Sequence, residues 1–169
     1  DGGSAASPAI SLDGARIYTN DQAGNLVAID ADTGATAWTH PLGFSPLGSP
    51  AITDGGRIVP TGAAGAWVVA LTDAGDRADV LWERTDLTHL GVPAQTTEDG
   101  PLYVVVADPD GPGAVQLAVL DGQTGATVDV VGAPDSGLVT IGTTIGPTGH
   151  LYVAGLSDGV FGFRPATTG

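Results

Sequence analysis

Cysteine is absent from this 169-residue chain, which removes disulfides, thiolate nucleophiles and cysteine-ligated zinc together. Lysine is absent too, and five arginines stand against 17 aspartates and two glutamates, a formal net charge of −14. A phosphate backbone is held by basic side chains that displace its counterions, so nucleic acid is excluded as a partner class. An anionic membrane surface is excluded for the same reason. The acidity reads as a solvated face, suited to a secreted or high-salt setting. No apolar run approaches the length of a membrane-spanning helix, so the chain is expected to be soluble and not inserted in a membrane. No leader-like segment precedes the first repeat, and any targeting segment is expected to have been removed or to lie outside this sequence.

What the chain has in quantity is glycine, 27 residues, with only 14% charged residues and short apolar runs such as Leu102–Ala107 and Val115–Leu120. That is the composition of a turn-dense all-β protein and not of a disordered chain. No segment sustains a 3.6-residue period, so no helix is expected. The chain also repeats itself. Ser7-Pro8-Ala9-Ile10 recurs 42 residues later as Ser49-Pro50-Ala51-Ile52; Val92-Pro93-Ala94 follows after 43, and Gly142-Thr143-Thr144-Ile145 is a looser copy after 50. Each copy precedes a turn rich in Asp and Gly, at 12–14, 54–56, 98–100 and 147–149.

Strands are expected after those turns at Arg16–Asn20, Arg57–Thr61, Leu102–Ala107 and His150–Gly155, then at Asn25–Asp30, Trp67–Thr72, Gln116–Asp121 and Val160–Arg164. A further strand follows at Thr36–His40, Val80–Arg84 and Thr127–Val131. Four short strands per 40-odd residues is the size of one propeller blade. The expected fold is an all-β propeller of about four blades of four antiparallel strands, at 7–42, 48–86, 91–133 and 139–169, the last incomplete. A β-sandwich is the alternative, but it does not require near-identical repeats.

Ala28-Ile29-Asp30-Ala31-Asp32-Thr33-Gly34-Ala35-Thr36-Ala37-Trp38 resembles the repeat signature of quinoprotein-like (PQQ-type repeat) propellers. The resemblance implies that Trp38 docks between blades, with Asp30, Thr33 and Gly34 as its bracing turn, and it implies a closed ring of seven or eight blades. The second repeat keeps Trp82 but has Thr72-Asp73-Ala74-Gly75 at the turn; the third keeps Asp121, Thr124 and Gly125 but has Asp129 where the tryptophan would be; the fourth ends as Phe163 to Gly169 without a fourth strand. The family's enzymatic members need cationic groups, a carboxylate base and calcium around a quinone, and no residue here is marked for that role. The resemblance also points to an extracytoplasmic location.

No nucleophile elbow of the Gly-x-Ser-x-Gly kind is present. His40, His89 and His150 are read as surface or strand-end residues, Arg16 and Arg57 as blade-edge residues, and Trp67 as core or part of an exposed binding face. Asp108-Pro109-Asp110-Gly111, in the longest loop, has the spacing that opens a calcium loop but lacks its downstream acid; Asp108 and Asp110 are the metal candidates. No resident cofactor is expected, with calcium and pyrroloquinoline quinone kept as alternatives. The expected function is a non-catalytic module that binds a protein or glycan through the loops at 73–79 and 107–114. A fragment of a quinone-dependent dehydrogenase and a structural subunit of a surface assembly are the alternatives. The expected partners are a protein, further blades of the same ring, or a second copy paired through open blade edges.

Overall fold

The computed structural model describes residues 4, 6–62, 65–111, 113–133, 140–155 and 159–164. They form four antiparallel sheets and, among the described residues, no helix. The first sheet is β1 (Ala9–Ile10), β2 (Arg16–Asn20), β3 (Asn25–Asp30) and β4 (Thr36–Pro41). The second is β5 (Ala51–Ile52), β6 (Ile58–Val59), β7 (Trp67–Asp73) and β8 (Ala78–Thr88). The third is β9 (Ala94–Gln95), β10 (Leu102–Ala107), β11 (Val115–Leu120) and β12 (Thr127–Gly132), and the fourth is β13 (Thr140–Ile145), β14 (Leu151–Gly155) and β15 (Gly159–Phe163). Every sheet pairs its strands in chain order, a plain meander. Connections of three to seven residues between the strands of each sheet favour antiparallel neighbours in chain order.

The core lies between sheets, not around a single centre. Leu26, Ala28 and Trp38 of the first sheet meet Ile58, Val69 and Leu71 of the second. Val59, Val68, Ala70 and Trp82 of the second meet Leu102, Val104, Ala118 and Leu120 of the third. Val105, Val115 and Leu117 of the third meet Leu151 and Val153 of the fourth. Adjacent residues therefore go to opposite cores: Ile58 faces the first sheet and Val59 the third. This is why these strands are continuous apolar runs and not alternating ones: a middle sheet buries both faces. Each fully buried Leu, Ile or Val contributes about 1.5–3 kcal/mol of transfer free energy. Sheets stacked face to face in sequence are the blades of a propeller, and the four form an arc of one.

Two expected strands differ in extent. The stretch at 57–61 pairs only over Ile58–Val59, because Pro60 has no N–H to give the ladder. β8 runs from Ala78 to Thr88, well beyond 80–84, with register shifts beside Trp67 and Ala70. The shift at Ala70/Leu71 has counterparts at Ala28/Ile29 and Val119/Leu120. In all three sheets one extra residue on the outer strand (Ala37, Leu81, Val128) precedes the residue opposite the small or β-branched partner, namely Trp38, Trp82 and Asp129. A bulge of this kind re-aims the following side chain; here it turns the tryptophan toward the next sheet. The end of the fourth repeat, 165–169, lies outside the described residues.

Candidate functional site

The signature residues gather at the seams between sheets. In the first sheet, the Asp30 carboxylate accepts the Thr33 amide at 2.9 Å and the Thr33 hydroxyl at 2.7 Å, and the Asp30 carbonyl accepts the Gly34 amide at 2.9 Å. In the third, Asp121 accepts the Thr124 amide at 2.8 Å and hydroxyl at 2.9 Å, and its carbonyl accepts the Gly125 amide at 2.8 Å. Each turn closes on a glycine of φ +72° or +71°, a conformation that L side chains adopt only at a cost. The threonine hydroxyl and then the threonine amide hold each aspartate's pKa below its usual value. Both carboxylates are thus structural acceptors.

The tryptophans do not dock on their own repeat's turn. Trp38 is 6% exposed, and its Nε1 donates to Asp73 Oδ1 at 2.9 Å, on the next sheet. Asp73 also accepts the Tyr18 hydroxyl at 2.9 Å and the Gly75 amide at 2.7 Å. Burial, then the bond to Asp73, pushes the Tyr18 phenol far above its ordinary pKa. Trp82 is 9% exposed, and its Nε1 donates to the Gly122 carbonyl at 3.1 Å, with its ring over Gly125. Asp73 had no place in the repeat signature. Its role shows only in space, where it occupies the spot that the Gly122 carbonyl fills one seam later.

Three of the arginines, Arg16, Arg57 and Arg84, are seam residues as well. Arg16 bonds Asp30 within its own sheet at 2.9 Å and reaches the Gly75 carbonyl of the second sheet at 3.3 Å. Arg57 donates to the Glu98 carbonyl of the third sheet at 2.8 Å. Arg84 donates to the Gly125 carbonyl and the Thr127 hydroxyl, both at 2.8 Å, and forks onto Asp86 at 2.8 and 2.7 Å. Its guanidinium hydrogen bond holds Asp86 below the usual carboxylate range. Arg77 is tied to Asp79 at 2.8 Å. These four arginines are bound to carbonyls and carboxylates, so they are not free to form the cationic cradle that a tricarboxylic quinone requires.

The two loops expected to make contacts stand at opposite ends of the sheets. The turn after β7 shares its end with the Asp30 and Asp121 turns; the loop after β10 shares the other end with the links between sheets. Asp108 Oδ1 accepts the Asp110 amide at 3.0 Å, and the Asp108 amide donates to the Ala114 carbonyl at 3.0 Å. Asp108 thus organises its own loop. Among the described residues no three acidic or histidine side chains come together as a metal site, so no third such side chain joins Asp108 and Asp110. At the same end, Gln22, Gly24, Asn25, Pro41, Gly43, Phe44 and Ser45 line an open cleft of about 400 Å³, which no sequence signal marked. Trp67 is half-buried beneath it, edge-on to Phe44 at 5.0 Å between ring centres.

His89 is a correction. It follows a strand end, as expected, but it is fully buried, and neither ring nitrogen has a hydrogen-bond partner. The reason is the link to the next sheet: the His89 amide donates to Ala66, and the Leu90 amide to Val105. These bonds draw the segment in beside β10 as an inner edge. Burial pushes the imidazole pKa down to about 4, against a smaller opposing pull from the backbone at Gly91, whose geometry falls short of a hydrogen bond.

Comparison with known proteins agrees with this architecture. The family described as outer membrane protein assembly factor BamB matches residues 2–166. Protein Rv3035 of Mycobacterium tuberculosis is 34% identical over 162 residues, covering 95% of this chain and 39% of that protein. BamB from Moraxella catarrhalis superposes with a TM-score of 0.69 at 23% identity, over 94% of this chain and 45% of that one. The Cps50 (Swd1) β-propeller domain of Myceliophteria thermophila gives 0.71 at 14%, over 95% and 53%. Quinohemoprotein alcohol dehydrogenase from Comamonas testosteroni gives 0.58 at 18%, over 78% and 21%. The chain therefore spans about two fifths of the curated relative and about half of the first two structures. It belongs to the BamB family of PQQ-type-repeat β-propellers.

Proposed function

We propose that the chain is an arc of a non-catalytic, extracytoplasmic propeller of seven or eight blades that binds a protein or glycan partner. The observation that carries this reading is where the charges go. The arginines that bridge the sheets, and the aspartates whose pKa values are lowered by turn threonines or Arg84, are engaged in turns and seams. Most of the remaining acidity among the described residues, including Asp108 and Asp110, is displayed on loops held by a rigid scaffold, the arrangement binding propellers use. The family's description as an outer membrane protein assembly factor supports a protein partner outside the cytoplasm. Contacts are assigned to the end that carries the 107–114 loop and the cleft around Phe44.

A photo-reactive residue in place of Pro109, in cells of the natural host, tests this. Specific crosslinks that Asp108→Ala with Asp110→Ala diminishes, in a chain that remains folded, support the reading. Crosslinks only from the opposite end, or none, overturn it.

The likeness to a quinohemoprotein dehydrogenase favours a second reading, a fragment of a quinone enzyme whose cofactor is held by residues elsewhere. Dye-linked alcohol or sugar oxidation by the complete polypeptide after adding quinone and calcium would support it. Its absence would count against it.

A further inference from the structure

The cleft around Phe44 has one wall that the repeat does not require. Its turn reads Asp21-Gln22-Ala23-Gly24-Asn25, whereas the matching turn of the second repeat, 62–66, holds only glycine and alanine. Asp21 is spent within the turn: its carboxylate accepts the Asn25 amide at 2.8 Å and the Asn25 side-chain Nδ2 at 2.9 Å. That fixes the Asn25 side chain and leaves its Oδ1 without a partner. The Gln22 amide and the Ser45 hydroxyl are on exposed residues, and neither has a hydrogen-bond partner among the described residues.

The main chain around the cleft is spent as well. The Asn25 carbonyl accepts the Asp21 amide at 2.9 Å, the Gly24 carbonyl accepts the Leu42 amide at 2.8 Å, and Pro41 has no N–H to give. A peptide strand finds no ladder here to extend. What the cleft offers is an amide oxygen, a complete side-chain amide and a hydroxyl, beside the apolar Pro41 and Phe44. Neutral donors and acceptors next to an apolar wall suit a ligand that carries many hydroxyls on a C–H framework. No lining residue is charged, and a net charge of −14 disfavours an anionic ligand.

We infer that this cleft binds a short stretch of neutral glycan. The Gln22 amide, Asn25 Oδ1 and the Ser45 hydroxyl bond its sugar hydroxyls, and Pro41 and Phe44 meet its C–H face. The volume, about 400 Å³, falls among small-ligand sites of about 300–1,000 Å³. Leu42 and Phe44 belong to the core shared with the second sheet, so a further blade on the other face of the first sheet leaves the cleft open. The inference rests on the assignment of contacts to this end of the sheets and names the ligand class for the cleft.

The test is isothermal titration of the complete natural polypeptide with neutral trisaccharides of mannose, glucose, galactose and N-acetylglucosamine. A galacturonic acid trisaccharide and a short proline-rich peptide serve as controls. Saturable binding of at least one neutral trisaccharide is expected. Gln22→Ala with Ser45→Ala, both exposed, should keep the urea midpoint and weaken binding about tenfold or more, for two lost hydrogen bonds. Arg77→Ala, at the opposite end, should leave binding unchanged. No neutral trisaccharide bound, binding indifferent to the double variant, or equal or tighter binding of the charged sugar or the peptide would overturn the inference. Protein crosslinks from position 109 without any trisaccharide binding would sink this inference alone; trisaccharide binding without those crosslinks would sink only the broader reading of the loop.

Discussion

His89 gives the sharpest quantitative prediction, because one perturbation isolates it. In the folded chain its pKa is about 4; in the unfolded chain it returns to about 6.5. The folded value is the lower one, so the unfolded state takes up the proton first. The neutral imidazole costs nothing in this respect above about pH 7.5, and stability falls as pH drops from about 6.5 toward 4. Between pH 7.5 and pH 5 the loss is about 2 kcal/mol, a shift of about 1 M in the urea midpoint. The carboxylates held low by threonine or arginine, Asp30, Asp86 and Asp121, add their own loss only as pH falls toward and below about 4, so the windows separate. The perturbation is His89→Leu, which removes both unpaired ring nitrogens, each a buried group whose lost hydration costs about 1–3 kcal/mol. The assay is urea unfolding of both chains at pH 7.5, 6.5, 5.5 and 5. The variant should be at least as stable at pH 7.5 and should lose the extra slope. Equal slopes for the two chains would refute the burial argument.

The seams make three further predictions. Trp82→Ala should cost about 3–5 kcal/mol in urea unfolding, while Trp82→Phe, which keeps the packing but loses the bond to Gly122, should cost about 1 kcal/mol. Asp73→Ala strands the donors of Trp38 and Tyr18 and should cost about 2–4 kcal/mol; an ultraviolet phenol titration should then show Tyr18 ionising closer to about pH 10. Gly34→Ala should cost only the positive-φ penalty, about 1 kcal/mol. Gly125→Ala, where the added methyl meets the Trp82 ring, should cost about 1–3 kcal/mol more.

The repeats were legible because they are local. β2 and β3 fall at Arg16–Asn20 and Asn25–Asp30, and the Asp–Thr–Gly turns announce themselves within five residues. The receptor for each tryptophan was not legible, because it lies 35 residues away at Asp73 for Trp38 and 40 away at Gly122 for Trp82. The second repeat's departure from the signature hid Asp73's role, since a carboxylate side chain there replaces the backbone carbonyl used one seam later. Arg57 and Arg84 reach 41 residues ahead to backbone carbonyls, and a carbonyl carries no sequence signal. The burial of His89 was illegible for a related reason. A polar residue after a strand ordinarily meets water, and only the pairing of its backbone with β10 takes it inside.

The central claim is that these four sheets are an arc of a larger propeller. A structure of the complete natural polypeptide tests it most directly. The account predicts a further blade packed face to face on the first sheet. An assembly in which the first sheet meets no further blade of the same polypeptide, or pairs with a second copy of this chain, would contradict it.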